Sequence, residues 1–120
     1  MASKAKIGSG ELVRSADSPI EDLGGGISRQ MMAYGPDLMV CRVLFESGAV
    51  GAVHSHFHSQ ATYIESGRFM VEIDGEKQEL GAGDCSYINP DLDHGVVCIE
   101  GGVLIDIFNP AREDFLSEEG

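Results

Sequence analysis

The chain has 120 residues, which suits one domain built on a single core. Twenty acidic against eight basic residues give a formal net charge of −12, which disfavours nucleic acid and anionic membranes and leaves no basic stripe for phosphate contacts. Three cysteines, Cys41, Cys85 and Cys98, are odd in number and never fall as Cys-x-x-Cys, which argues for reduced, buried thiols rather than a disulfide framework or a thiolate zinc site.

In chain order, residues 1–20 are expected to be a flexible N-terminal segment and 21–120 the folded domain. The opening MASKAKIGSGELV has two lysines but no apolar run behind them, and no stretch approaches the roughly 20 apolar residues of a membrane span. The expected compartment is the cytoplasm. Gly24, Gly25 and Gly26 mark a flexible approach to the first regular segment. Leu38 to Glu46 alternates around Met39, Cys41, Val43 and Phe45 and predicts a strand.

His54, His56 and His58 then occupy alternate positions, followed by Gln60. Residues two apart on a strand share a face at about 7 Å, so His54 and His56 can converge on one ion. A straight strand would carry Gln60 roughly 20 Å from His54. Gln60 can therefore join only if the chain turns through Phe57, His58 and Ser59, and the motif predicts a hairpin. Ile64 to Ser66 leads through Gly67 into Phe69, Val71 and Ile73 and ends at the turn pair Asp74-Gly75, which reads as an antiparallel hairpin.

Further short apolar runs lie at Ser86 to Ile88, Val96 to Ile99 and Val103 to Phe108, with glycine and proline between them. That spacing is typical of an all-β sandwich or barrel. Only the tail carries a helix signal, with Asn109 able to cap and Pro110 suited to the first turn. The fold expected is a single-domain jelly-roll β-barrel with a short C-terminal helical turn.

Inside the last apolar run sits a lone carboxylate. Period two places Asp106 on the face of Leu104 and Phe108, where an unpartnered, ionised carboxylate costs several kcal/mol. It is either a hydrogen-bonded structural residue or a cavity-lining group tuned for proton transfer, and the second is favoured. Arg112 is either a surface partner of Glu113 or Asp114, or a fork for a substrate carboxylate.

Gly48 stands six residues before His54, Gln60 four after His56 and Gly67 seven after Gln60. This bracket of turn glycines and donors resembles the first motif of the cupin superfamily. The second cupin motif is recognisable in Gly83, Asp84 and His94, with fifteen residues between Gly67 and Gly83. Its proline falls on Asn89, its glycine on Asp91 and its terminal asparagine on Cys98, departures that bear on the loop from Asn89 to Asp93.

The run Leu104 to Leu116, with the histidine segment, closely resembles the pectin-degradation cupins of the KdgF family, and the likeness extends from about Glu21 to Leu116. Members of that family open the ring of 4,5-unsaturated uronates, the monosaccharides left when lyases cut pectin or alginate. The resemblance implies metal ligands at His54, His56, Gln60 and His94, active-site residues at Asp106, Phe108 and Arg112, a small anionic sugar acid as substrate and a homodimer. His58 stays open between a supporting contact, a substrate contact and an exposed turn residue.

A neutral Gln60, where iron oxygenases characteristically carry a carboxylate beside two histidines, favours Lewis-acid chemistry at one divalent ion. Imidazoles suit zinc, nickel, iron or copper, and the amide oxygen admits manganese. A non-catalytic sugar-acid-binding cupin and a cupin dioxygenase are the competing readings.

Overall fold

The computed structural model describes residues 8–117. Eight strands carry the fold: β1 (Ile20–Gly24), β2 (Ile27–Tyr34), β3 (Met39–Phe45), β4 (Val50–His54), β5 (Ser59–Ile73), β6 (Glu76–Gly81), β7 (Cys85–Ile88) and β8 (His94–Asn109). A helix, α1 (Glu113–Ser117), follows them. All pairings are antiparallel, in the order β1-β2-β3-β8-β5-β6, with β4 added to β8 and β7 to β5.

The architecture rests on the two longest strands. The C-terminal half of β8 pairs with β3, while its first residues pair with β4. β5 divides in the same way, Gln60–Tyr63 facing β7 and Arg68–Ile73 facing β6, with β8 alongside throughout. Each long strand thus serves two layers, and the sheet closes over itself as a jelly-roll barrel.

At the corner the β5–β8 register slips between Ile64 and Ser66, between Ser66 and Arg68, and again between Arg68 and Phe69. The two backbones touch there. A Cβ on Gly67, whose φ is +88°, would stand 2.5 Å from the Glu100 carbonyl oxygen, and one on Gly102 would overlap the carbonyl of Ser66. Neither strand can bend here with a side chain in the way. Gly102→Ala is therefore expected to destabilise by more than the roughly 1–3 kcal/mol usual for overpacking, read as a lowered urea midpoint. Gly35→Ala, at an ordinary φ with nothing within 4 Å, is the control expected to stay within about 0.5 kcal/mol.

Alternation decides the interior. Leu104, Asp106 and Phe108 of β8 lie opposite Val43, Cys41 and Met39 of β3 and opposite Ile64, Thr62 and Gln60 of β5. Phe45 and Phe69 meet edge-on at 5.3 Å and pack with Ile64, Cys98 and Leu104. Full burial of a side chain like Phe69 contributes about 1.5–3 kcal/mol. Met39, Cys41, Phe108 and Ala111 form a second cluster. Residues of both clusters line a cavity of about 360 Å³.

Several local expectations change. Gly24 to Gly26 is not a loose approach: Gly25 and Gly26, both at positive φ, turn β1 into β2, with Gly24 opposite Ile27. As expected, Asp74 and Gly75, at φ 51° and 86°, form the turn between β5 and β6, the conformation a type I′ hairpin requires. β5 runs on through Gly67 and bends there. The runs at 96–99 and 103–108 are one strand.

The helix starts at Glu113, not beside Asn109. Asn109 still pairs with Ser59, and its Nδ2 donates to the Asp37 carbonyl at 2.7 Å, so it is not available as a cap. Of the expected N-terminal segment, residues 1–7 lie outside the described residues. Farther along, the Ser9 N–H donates to the Tyr34 carbonyl, and Gln30 Nε2 donates to the Ser15 and Ser18 carbonyls at 2.7 and 2.9 Å. Among the described residues no helix is long and apolar enough to cross a membrane.

Candidate active site

Strand register brings the first two donors together. The β4–β8 ladder ends with His54 opposite His94, and directly opposed antiparallel residues hold their Cβ atoms about 4.5–5.5 Å apart. The ring centroids are 4.5 Å apart. His56 arrives differently, from the loop 55–58, with its ring 4.8 Å from that of His94 and 5.6 Å from that of His54.

The expectation that His54 and His56 share a strand face is thus corrected. β8 begins at His94, so the ladder offers nothing beyond it for Ser55 and His56 to pair with, and the chain leaves the sheet. The chain does turn before Gln60, but it makes no hairpin: β4 and β5 each pair with β8 and not with each other. The Asp91 N–H holds this loop through the His56 carbonyl at 2.8 Å. Asp91 itself has φ 68°, so the position where the cupin motif places glycine keeps a left-handed backbone with another residue.

All three imidazoles are anchored through Nδ1. His54 meets the Ala52 carbonyl at 2.9 Å, His94 the Leu92 carbonyl at 2.9 Å and His56 the His58 carbonyl at 3.2 Å. A carbonyl can only accept, so each Nδ1 carries the proton and each Nε2 presents a lone pair. This backing through the second ring nitrogen is how ligating histidines are commonly oriented. The three ligand atoms lie within 4.8 Å of one another. His94 Nε2 is buried with no hydrogen-bond partner, and burial pushes the pKa values of both His94 and His56 below the ordinary range.

Gln60, the second residue of β5, adds a fourth donor. Its Nε2 donates to Thr62 Oγ1 at 2.9 Å and to Asp106 Oδ1 at 3.2 Å, which turns Oε1 toward His56 Nε2 at 2.9 Å. Two acceptors then face each other, an arrangement a shared cation resolves. Donors about 2.1 Å from one ion and at right angles stand about 3 Å apart. The donor set therefore fits a divalent metal.

On the far side of the amide, Asp106 lines the cavity. Thr62 Oγ1 donates to its Oδ1 at 2.6 Å. Desolvation raises the Asp106 pKa, and the hydrogen bonds from Thr62 and Gln60 oppose that rise. Although its carboxylate opens onto the cavity, protein surrounds it. Thr62 and Cys41 are not among the expected site residues, yet both share Asp106's row across β5, β8 and β3. For Thr62 the signal was available, two residues after Gln60 on a strand face.

Phe108 lies beside the metal donors, its ring 5.8 Å from that of His56. The Arg112 guanidinium sits 5.0 Å from the centroid of Phe108 and 4.2 Å from that of Phe115. Arg112 lines the cavity, and its Nε and Nη2 donate to the Asp114 carboxylate at 3.0 and 2.8 Å. His58 is not an exposed turn residue. It is buried, stacked on Phe57 at 4.1 Å and edge-on to Phe108 at 6.3 Å, and it stands outside the group of three converging imidazoles.

An antiparallel jelly-roll barrel carrying these donors is the architecture of a cupin, and the family profile described as the cupin domain matches residues 41–108. The pectin degradation protein KdgF of Dickeya dadantii (strain 3937) is 45% identical over 102 residues, 83% of this chain and 93% of that protein. The chain belongs to the cupins and, within them, to the KdgF family.

Solved structures agree. A cupin from Shewanella frigidimarina NCIMB 400 superposes with a TM-score of 0.89 at 46% identity, covering 91% of this chain and 98% of that one. KdgF from Halomonas sp. gives 0.85 at 38%, covering 89% and 99%. A variant of Bacillus subtilis oxalate decarboxylase gives 0.72 at 19% over 87% of this chain and 31% of that one, a likeness of fold alone.

Proposed function

We propose that the protein is a metal-dependent isomerase that opens the ring of 4,5-unsaturated uronates released from pectin or alginate, giving linear 5-keto-4-deoxyuronates. The observation that carries this reading is a cavity lined by His54, Gln60 and His94, on which His56 converges, together with the desolvated carboxylate of Asp106 and the guanidinium of Arg112. Kinship with KdgF proteins, one of them a pectin degradation protein by name, supports the choice of substrate.

His54, His56, Gln60 and His94 would hold a divalent ion such as zinc, nickel, iron or manganese, which would supply Lewis acidity toward the substrate's carboxylate and the neighbouring oxygen. Arg112 orients that carboxylate, and Phe108 walls one face of the sugar. The anomeric hydroxyl gives up its proton, the bond from C1 to the ring oxygen breaks, and the aldehyde forms at C1. The electrons pass through the ring oxygen, which becomes the C5 ketone, to C4, which takes a proton. No atom is gained or lost. Asp106 moves the protons: its Oδ1 is saturated by Thr62 and Gln60, which leaves Oδ2 to carry one.

Small size follows from the cavity, which suits one sugar ring rather than a chain. The protein's three cysteines are free thiols, Cys41 and Cys98 buried as expected and Cys85 exposed against that expectation, and free thiols suit the reducing cytoplasm. We place the protein there as a homodimer; the exposed side chains of Val50 and its register partner Val97, with Ile99, provide an apolar patch for the contact. The function is tested by turnover of the unsaturated monosaccharide with and without metal.

A further inference from the structure

The cavity holds a second arginine that the mechanism above does not use. Of eight basic residues in a chain with twenty acidic ones, Arg29 and Arg112 both line it, and Asp106 is the one carboxylate among its described lining residues. Two guanidinium groups at the wall of one cavity offer an anion local hydrogen-bond donors in so acidic a protein.

Arg29 reaches the cavity from β2, where it lies opposite Val43, one row from the line of Met31, Cys41, Asp106 and Thr62. The residue is 8% exposed. Its guanidinium lies 3.8 Å from the Phe115 centroid, on the ring that Arg112 also contacts, and its Nη2 donates to Glu21 Oε1 at 3.0 Å. Cys41 registers how near these charges are: burial and then Asp106 push its thiol up to about 12, while Arg29 and Arg112 pull it down.

Arg112 alone is an incomplete clamp. Its Nε and Nη2 edge, the side suited to chelating a carboxylate, is engaged by Asp114. A ligand carboxylate entering this cavity therefore meets only the remainder of that fork, and a second cation is on hand across Phe115.

We propose that Arg29 is a specificity-determining residue that shares the sugar acid's carboxylate with Arg112, so that selection of an acidic sugar over its neutral counterpart depends on it. The chemical class of ligand, a monosaccharide monocarboxylate, rests on the ring-opening reading. Phe115, 3.8 Å from the guanidinium, and Glu21 offset the cost of burying it.

The experiment uses the metal-loaded full chain. Calorimetry measures binding of galacturonate and of galactose, and kinetics measures KM and kcat with unsaturated galacturonate, for wild type, Arg29→Met, Arg29→Lys and Glu21→Gln. Arg29→Met is expected to weaken galacturonate at least about tenfold, the size of a charge-assisted hydrogen bond. Galactose should be little changed, and KM should rise far more than kcat falls. Arg29→Lys should lie between, and Glu21→Gln should bind as wild type.

The proposal is overturned if Arg29→Met keeps the preference for galacturonate, if the wild type has no such preference, or if Glu21→Gln loses as much as Arg29→Met, which would make the arginine structural. A wild type that binds galacturonate selectively but turns nothing over would defeat ring opening and leave the role of Arg29 standing or falling on the binding data.

Discussion

Asp106→Asn lowers kcat by about 100- to 10,000-fold, the usual weight of a general acid–base group, while metal content and melting temperature stay near wild type. Asparagine preserves the volume, and its Oδ1 can still accept the hydrogen bonds from Thr62 and Gln60 that hold the carboxylate in place. What it loses is the ability to take up and deliver a proton. The site prepares Asp106 for that work by opposing influences, with desolvation favouring the protonated form and two hydrogen bonds favouring the carboxylate. Elemental analysis and turnover on the same sample separate the effects: an Asn variant with full activity removes Asp106 as proton carrier, and one that has lost its metal points to a supporting role through Gln60.

The second large effect is expected at His94. Its Nε2 is buried with no hydrogen-bond partner, and its ring is held between β4 and β5 by register as well as by the Leu92 carbonyl. His94→Ala should weaken metal binding by more than the 10- to 100-fold typical of losing a mere supporting contact, and activity should fall to that of stripped protein. Metal should also stabilise the wild-type fold, by about 2.7 kcal/mol at a hundred times the dissociation constant. A chelator then lowers the melting temperature by several degrees in the wild type and leaves His94→Ala unmoved. An equal shift in both would place the ion elsewhere.

The parts of the fold legible in the sequence are those where burial imposes alternation. Leu38 to Glu46 contains β3 because Met39, Cys41 and Phe45 are core residues. The opposite holds for β1, whose five residues are all exposed, and for β6, whose first four are. Such strands are defined by their partners' hydrogen bonds, and a residue pattern records burial, not pairing. β2 escaped for a related reason: its inward side chains include Arg29, whose polarity hides the strand face on which it sits.

The same logic applies to the site. Histidine spacing marked a group of donors, but it was the end of the β4–β8 ladder, a long-range pairing of His54 with His94, that set two of them side by side. Asp106 stood out because a carboxylate in an apolar run is costly. Thr62, its closest partner, did not, since a threonine on a strand needs no special explanation. The bidentate engagement of Arg112 by Asp114 depends on the turn into α1, which the position of Asn109 and Pro110 misplaced by a few residues.

Ring opening destroys the conjugation between the C4=C5 double bond and the carboxylate, so the central claim can be read from one ultraviolet trace. Metal-loaded protein mixed with the unsaturated galacturonate monosaccharide should abolish that band many times faster than chelator-stripped protein, without consuming oxygen. A band that decays at the same rate in both samples would contradict the account.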